Sequence, residues 1–150
     1  MSEHQERNRR IFALPLERQR EALLPVYEEI YAAYAVDWET NTGSFDRDDY
    51  EFALRGTVPF PGLPERVEGL EGYVAGHREL LDVVDLVRVQ IDDLIPLGDG
   101  RVVVLTRYVV RAGDGEVEQQ ILELHQFRDG LLWRHYYWFH RDEGRQELGI

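Results

Sequence analysis

Residues 121–139 read ILELHQFRDGLLWRHYYWF, and this stretch decides the fold. Apolar and polar side chains alternate before and after Asp129-Gly130, which is the period of β-strands rather than of helices. Asp-Gly is a favoured pair for a two-residue hairpin turn, because both turn residues must adopt a positive φ. The stretch therefore predicts an antiparallel hairpin that turns at residues 129 and 130.

Counting outward from the turn predicts which side chains share a face, because directly opposed residues lie on the same side of a hairpin. One face then carries four pairs: Phe127 with Leu132, His125 with Arg134, Glu123 with Tyr136, and Ile121 with Trp138. The other face carries Gln126 with Trp133, Leu124 with His135, Leu122 with Tyr137, and Gln120 with Phe139. The first face is polar at its centre and apolar at both ends, as expected for the wall of a small-molecule pocket.

Four side chains at the centre of that face are the candidate catalytic residues: Glu123, His125, Arg134 and Tyr136. Glu123 and His125 suit acid and base roles, since burial raises the pKa of a carboxyl group and a neighbouring arginine lowers it. Arg134 and Tyr136 suit the binding of a substrate oxygen, with Tyr136 as a hydrogen-bond donor to a developing oxyanion. The structural alternative is an ion pair between Glu123 and Arg134 that only stabilises the core.

Three other histidines are weaker candidates. His77 is predicted on the inner side of a helix, His135 on the hairpin face opposite Glu123, and His140 at an exposed strand end. Glu123 and His125 therefore lack a third metal ligand in obvious reach, and the sequence contains no zinc or calcium motif. We predict no metal and no cofactor.

The rest of the chain predicts an α+β fold. Four strands, at 86–97, 101–111, 117–128 and 131–140, are separated by glycine-containing turns and form an antiparallel meander. Apolar spacing of three and four residues predicts a helix that starts at Pro25 or, kinked there, near Leu16, and a second helix at 70–84. Residues 50–54 predict a short strand. The prediction is a single domain over residues 1–150, with the N-terminal helices packed on one face of a curved sheet.

The composition excludes several kinds of chemistry. The chain contains no cysteine and no lysine, and its only serines are Ser2 and Ser44. Disulfides, thiolate nucleophiles, lysine Schiff bases and the serine elbow of hydrolases are therefore excluded.

Charge and hydropathy predict the partners. The net charge of −12 argues against nucleic acid and against membrane surfaces, because both present phosphate groups. A cytoplasmic location is predicted, since the apolar runs are too short to span a bilayer and no signal-peptide core is present. Neither face of the final hairpin is simply polar, so helices cover one face and a second copy of the chain is the simplest cover for the other. A homodimer through the outer sheet face is predicted.

Segments spread over most of the chain resemble the nuclear transport factor 2-like superfamily, and especially its SnoaL-like members. These segments are 31–34 (YAAY), 37–39 (DWE), 69–72 (GLEG) and 127–132 (FRDGLL). The resemblance implies a cone-shaped α+β barrel, a pocket between the sheet and the helices, and dimers through the outer sheet face.

The resemblance also implies roles for particular residues. Glu123 falls where polyketide cyclases and ketosteroid isomerases of this superfamily place a pocket aspartate. The isomerase general base falls near Leu54, with Glu51 as the nearest carboxylate. The arginine of the epoxide hydrolases corresponds to Arg107, but Val109 replaces the aspartate that follows it. Dehydratases use tyrosines and histidines with an acid, types that Tyr31, His125 and Glu123 supply.

Three functions are compatible with these residues. The first is an enzyme that carries out cofactor-free acid–base chemistry on a small, largely apolar carbonyl or polyketide-like substrate. Its pocket is lined by five further residues: Tyr31, Trp38, Arg107, Phe127 and Trp138. The second is a non-catalytic ligand-binding or dimerisation module. A protein-partner adaptor is a third reading, and it requires an exposed apolar patch beyond the dimer face.

Overall fold

The computed structural model of the chain describes residues 1–33, 44–59 and 65–150. The predicted pocket residue Trp38 lies outside the described residues. The described part contains four helices: α1 (Glu3–Phe12), α2 (Leu16–Ala32), α3 (Leu70–Val83) and α4 (Arg141–Leu148). No helix among these residues is long and apolar enough to cross a membrane.

Six strands within the described ranges form one mixed sheet. The strands are β1 (Glu51–Arg55), β2 (Arg66–Glu68), β3 (Asp85–Gly98), β4 (Arg101–Ala112), β5 (Gly115–Arg128) and β6 (Leu131–Trp138). Their order is β2-β1-β6-β5-β4-β3, with β3 to β6 as an antiparallel meander and β1 parallel to β6. The predicted α+β class and the four-strand meander are confirmed. The short strand β1 extends the meander at the edge of β6, and β2 adds a strand that the sequence had not predicted.

The final hairpin turns where the sequence predicts, but its register changes two residues beyond the turn. Asp129 and Gly130 both have a positive φ, 54° and 78°, as a primed hairpin turn requires. Phe127 opposes Leu132 as predicted, whereas Gln126 opposes Arg134, so that Trp133 is the extra residue of a β-bulge. All pairs further from the turn are shifted by one residue.

This shift exchanges the faces of β6, because the side-chain period of a strand is two. His135 now opposes His125, and Tyr137 opposes Glu123, on the inner face of the sheet. The predicted placement of Arg134, Tyr136 and Trp138 beside Glu123 is therefore wrong. The predicted placement of His135 on the face opposite Glu123 is also wrong.

The inner face of the sheet is covered by α2 and α3. Leu23, Tyr27 and Tyr31 recur on one side of α2 and are buried, and Leu70 and Tyr73 do the same for α3. The helix α2 begins at Leu16 and continues through Pro25, so the longer of the two predicted helices is the one that forms.

The outer face of the sheet carries a second apolar cluster, formed by Val103, Leu105, Leu122, Leu124 and Trp138. The C-terminal helix α4, which the polar sequence after residue 140 did not predict, packs against this cluster. A Cβ atom added at Gly144 would lie 3.1 Å from both methyl carbons of Leu122 and from Cγ of Trp138, so the contact is tight. The chain thus supplies part of the cover for which a second subunit had been predicted, and the homodimer stays a prediction.

Candidate functional site

The carboxylate of Glu123 lies at the centre of the inner face and is fully buried. Its Oε2 atom accepts hydrogen bonds from three hydroxyl groups, two on β4 and one on α2. Thr106 Oγ1 of β4 lies at 2.8 Å, the hydroxyl of Tyr31 on α2 at 3.0 Å, and the hydroxyl of Tyr108 on β4 at 3.3 Å. One oxygen of the carboxylate is therefore held entirely by hydroxyl donors.

The other oxygen, Oε1, faces two imidazoles. Nε2 of His135 lies 2.7 Å away and Nε2 of His125 lies 3.3 Å away, while the two Nε2 atoms are 3.2 Å apart. The far nitrogen of each ring contacts a tyrosine hydroxyl: Nδ1 of His125 lies 2.8 Å from Tyr27, and Nδ1 of His135 lies 3.1 Å from Tyr50. A continuous hydrogen-bonded chain thus runs from Tyr27 through Glu123 to Tyr50.

The surroundings fix the charge of this centre. Burial by itself raises the pKa of Glu123, but hydrogen bonds from His125 and His135 bring it far below its usual range. Burial, followed by the neighbouring His135, lowers the pKa of His125 to about 4 despite the opposing effect of Glu123. At neutral pH Glu123 is therefore an anion and His125 is a neutral imidazole. Burial and the charge of Glu123 both raise the pKa of Tyr27 well above its usual range.

A small cavity of about 30 Å³ borders this polar centre, between α2 and the inner face of the sheet. Its walls are mostly aromatic or aliphatic and comprise Tyr27, Ile30, Tyr31, Phe45, Tyr73, Glu123, His125, Phe127, Leu132 and His135. This volume accommodates one or two water-sized groups. The acidic and basic side chains among these wall residues are Glu123, His125 and His135.

His77 lies beside the cavity wall and is not part of it. The side chain is half-buried, its ring lies against Tyr73 with centroids 4.0 Å apart, and its Nδ1 is 3.1 Å from the Tyr73 carbonyl oxygen. Burial lowers the pKa of His77 to about 4. These contacts are those of a core histidine, as the sequence predicts.

Of the predicted site residues within the described part, four lie on the cavity wall: Glu123, His125, Tyr31 and Phe127. The structure brings these together from α2 and β5. The structural alternative, an ion pair between Glu123 and Arg134, is wrong, because the carboxylate is held by imidazoles and hydroxyls instead.

Four predicted site residues lie on the outer face, away from Glu123. The guanidinium of Arg134 stacks on Trp133, 4.0 Å from the ring centroid. Tyr136 donates a hydrogen bond to Glu51 at 3.2 Å. Neither Tyr136 nor Glu51 lines the cavity. Trp138 packs under α4 and donates to Glu147 at 3.0 Å.

Arg107, the fourth of these, belongs to a network that fastens α4 to the sheet. It forms ion pairs with Asp92 at 3.1 Å and Glu118 at 3.0 Å. Asp92 also accepts a hydrogen bond from Arg141, whose guanidinium donates to the carbonyl oxygens of Thr106 and Ile121. The predicted role of Arg107 in substrate binding therefore has no support from its position.

Sequence reasoning missed five residues that contact the Glu123 centre: His135, Tyr27, Tyr50, Thr106 and Tyr108. The periodicity of the sequence could have identified three of them. The helical spacing put Tyr27 on the same side of α2 as Tyr31, and strand alternation put Thr106 and Tyr108 on one face of β4. His135 was missed because of the bulge at Trp133.

The same centre has the donor set of a metal site. Glu123, His125 and His135 are all buried, and one ligand atom from each lies within 4.8 Å of the others. His135 is the third ligand that the sequence reasoning had found missing.

No protein family model and no curated protein matches the sequence. Solved structures match the fold. A candidate isomerase from Bacillus subtilis superimposes with a TM-score of 0.61 at 14% identity, over 83% of this chain and 91% of its own. A candidate SnoaL-like polyketide cyclase from Mesorhizobium loti superimposes with a TM-score of 0.57 at 11% identity, over 77% of this chain and 97% of its own. The chain has the nuclear transport factor 2-like fold.

The nuclear transport factor 2-like fold is shared by TerC, which was crystallised with polyporic acid. TerC superimposes with a TM-score of 0.64 at 20% identity, over 85% of this chain and 98% of its own. The resemblance to SnoaL-like proteins that the sequence predicts is thus confirmed at the level of the fold. At these identities, the activity has to be argued from the Glu123 centre.

Proposed function

We propose that the chain is an enzyme of the isomerase, cyclase or dehydratase type that moves a proton on a small, largely apolar carbonyl compound. The observation that carries this proposal is the buried centre of Glu123, His125 and His135 on the wall of an aromatic cavity. An ionised carboxylate next to a neutral imidazole is a suitable pair for general acid–base catalysis.

We assign the role of general base to His125. Its contact with Glu123 is the longer of the two imidazole–carboxylate contacts, 3.3 Å against 2.7 Å for His135, so it opens more readily to a substrate. When the ring proton of His125 is on Nδ1, where the Tyr27 hydroxyl accepts it, Nε2 carries the lone pair that takes the substrate proton. Once His125 has accepted a proton, the nearby carboxylate stabilises the imidazolium. A base with a low pKa also returns its proton readily, which suits a reaction that relocates a proton within the substrate.

The remaining groups position Glu123. The short contact with His135 holds Oε1, and the hydroxyls of Thr106, Tyr31 and Tyr108 hold Oε2. A carbonyl compound larger than two waters exceeds the cavity of about 30 Å³, so we expect its binding to displace apolar wall residues such as Phe45 and Leu132.

The proposal is tested by NMR detection of solvent deuterium entering a panel of cyclic ketones and enones at the carbon next to the carbonyl group. We expect exchange with the wild-type chain and its loss in Glu123→Gln. Arg134→Gln on the outer face is the matched control and keeps the exchange. Ligand binding without exchange in the wild type would instead support the non-catalytic binding module.

We also propose a homodimer in the cytoplasm. Ile95, Leu97 and Tyr136 are half-buried at the rim of the outer cluster that α4 covers, and they offer apolar area to a second copy. Light scattering during size-exclusion chromatography tests the dimer, and a monomer at micromolar concentration would refute it.

A further inference from the structure

We propose that Oε1 of Glu123, Nε2 of His125 and Nε2 of His135 form a binding site for a divalent first-row transition ion, and that Zn²⁺ bound there blocks the proposed reaction. Two imidazoles and one carboxylate are a ligand set for such ions, among them zinc and iron. The binding itself is independent of the proposed function. Only the inhibition rests on it.

The spacing of the three ligand atoms fits one ion. Ligand bonds of about 2.0–2.1 Å in a tetrahedral site place neighbouring ligand atoms about 3.3 Å apart. The two Nε2 atoms are 3.2 Å apart, and Nε2 of His125 is 3.3 Å from Oε1. The third separation, 2.7 Å between His135 and Oε1, must widen by about half an ångström, which a small rotation of the imidazole provides.

The groups around the three ligands already hold them in the orientation that an ion requires. Oε2 of Glu123 is occupied by hydroxyl donors, so Oε1 is the oxygen that points at both imidazoles. On binding, the ring proton of each histidine moves to Nδ1, where the hydroxyl of Tyr27 or Tyr50 accepts it. Such contacts to the far ring nitrogen fix the tautomer of metal-bound histidines.

The charge of Glu123 and the adjoining cavity also favour a divalent ion. The carboxylate of Glu123 is a fully buried anion, and a divalent cation compensates it more completely than hydroxyl groups do. The adjoining cavity of about 30 Å³ leaves room for one water molecule as the fourth ligand. The ion uses the lone pair of His125 that accepts the proton in the proposed reaction, so the two occupants exclude each other.

The test is calorimetric titration of the untagged, full chain with ZnCl₂ alone, followed by titration with CoCl₂. We expect one Zn²⁺ per chain, and for Co²⁺ the intense visible absorption of a four-coordinate ion. Glu123→Gln and His135→Gln are expected to weaken zinc binding at least about a hundredfold, because even second-shell changes cost up to that factor. His140→Ala, which removes an exposed histidine, is the matched control and keeps wild-type affinity.

The absence of stoichiometric zinc binding, or equal binding in the wild type and both site variants, would overturn the inference. If the site variants do not fold, the wild-type protein decides. Zinc must then shift the imidazole ¹⁵N resonances of His125 and His135 and leave those of His77 unshifted, and any other pattern contradicts the site. If zinc binds and the ketone exchange continues, the metal site is supported and the proposed inhibition is contradicted. If exchange occurs and zinc does not bind, the metal site is contradicted and only the proposed function is supported.

Discussion

Nε2 of His135 lies 2.7 Å from Oε1 of Glu123, and both side chains are buried on the inner face of the sheet. The contact joins β6 to β5. It holds the carboxylate so that its other oxygen meets the hydroxyls of Tyr31 and Thr106. Nε2 of His125 has the longer contact with the same carboxylate oxygen, Oε1, at 3.3 Å.

The five donors around Glu123 predict that replacing its charge weakens the fold. In Glu123→Gln the amide group presents N–H donors to imidazole and hydroxyl donors, so at least one polar group loses its partner. We expect the free energy of unfolding to fall by about 1–3 kcal/mol. Urea denaturation measures the change. Glu118→Gln on the outer face of β5 is the control, and an equal loss of stability there would contradict the explanation.

The bulge predicts that a deletion in β6 is tolerated. Removing Trp133 leaves Phe127 opposite Leu132 and Gln126 opposite Arg134, now in a regular ladder. The inner position of His135 is therefore kept. We expect the deletion variant to fold with the imidazole resonances of His135 little changed. Deletion of Tyr136 is the comparison, because it turns Tyr137 and Trp138 to the wrong faces, and we expect that chain to unfold.

The tight contact at Gly144 predicts that a larger side chain there displaces α4. A Cβ atom added there would already lie 3.1 Å from Leu122 and Trp138, so the further carbons of valine have no space. We expect Gly144→Val to lower the free energy of unfolding by about 1–3 kcal/mol and to expose Trp138. Thermal denaturation and tryptophan fluorescence measure both effects. Gly76→Ala in α3, where a Cβ meets nothing within 4 Å, is expected to be neutral or stabilising.

The network at the start of α4 predicts a pH-dependent contribution to stability. Burial by itself raises the pKa of Asp92, but hydrogen bonds from Arg141 and Arg107 bring it below the usual value. A carboxyl group with a lowered pKa in the folded state stabilises the fold above its unfolded pKa, and this stabilisation is lost as the pH falls through the folded pKa. Urea unfolding at about pH 7 should therefore separate Asp92→Asn from the wild type, and the difference should shrink towards about pH 3. A difference that stays constant with pH would show that the charge of Asp92 is irrelevant.

Periodicity predicts most of the fold because the elements of this chain are long. Strand alternation places β3 to β6 within a few residues, and the turn at Asp129-Gly130 anchors them. The helix α4 escapes prediction because its sequence is polar almost throughout. It is held by Arg141, by the absence of a side chain at Gly144 and by Leu148, and these contacts exist only once the outer face has formed.

Strand alternation also predicts part of the candidate site. Glu123 and His125 are on one strand, so alternation alone puts them on one face. His135 is on the neighbouring strand, and its face depends on the single extra residue at Trp133. Nothing in the alternation of β6 marks that bulge, because apolar and polar residues occur on both of its faces. One residue of register placed His135, rather than Arg134 and Tyr136, beside Glu123.

The most direct test of the account compares His125→Asn with His77→Asn in the deuterium-exchange assay with cyclic ketones. Both residues are histidines with a pKa lowered to about 4, but only His125 lies on the cavity wall beside Glu123. The account predicts that His125→Asn slows the exchange by about a hundredfold or more, the range of general acid–base catalysis, and that His77→Asn does not. Equal exchange rates in the wild type and in folded His125→Asn would contradict it.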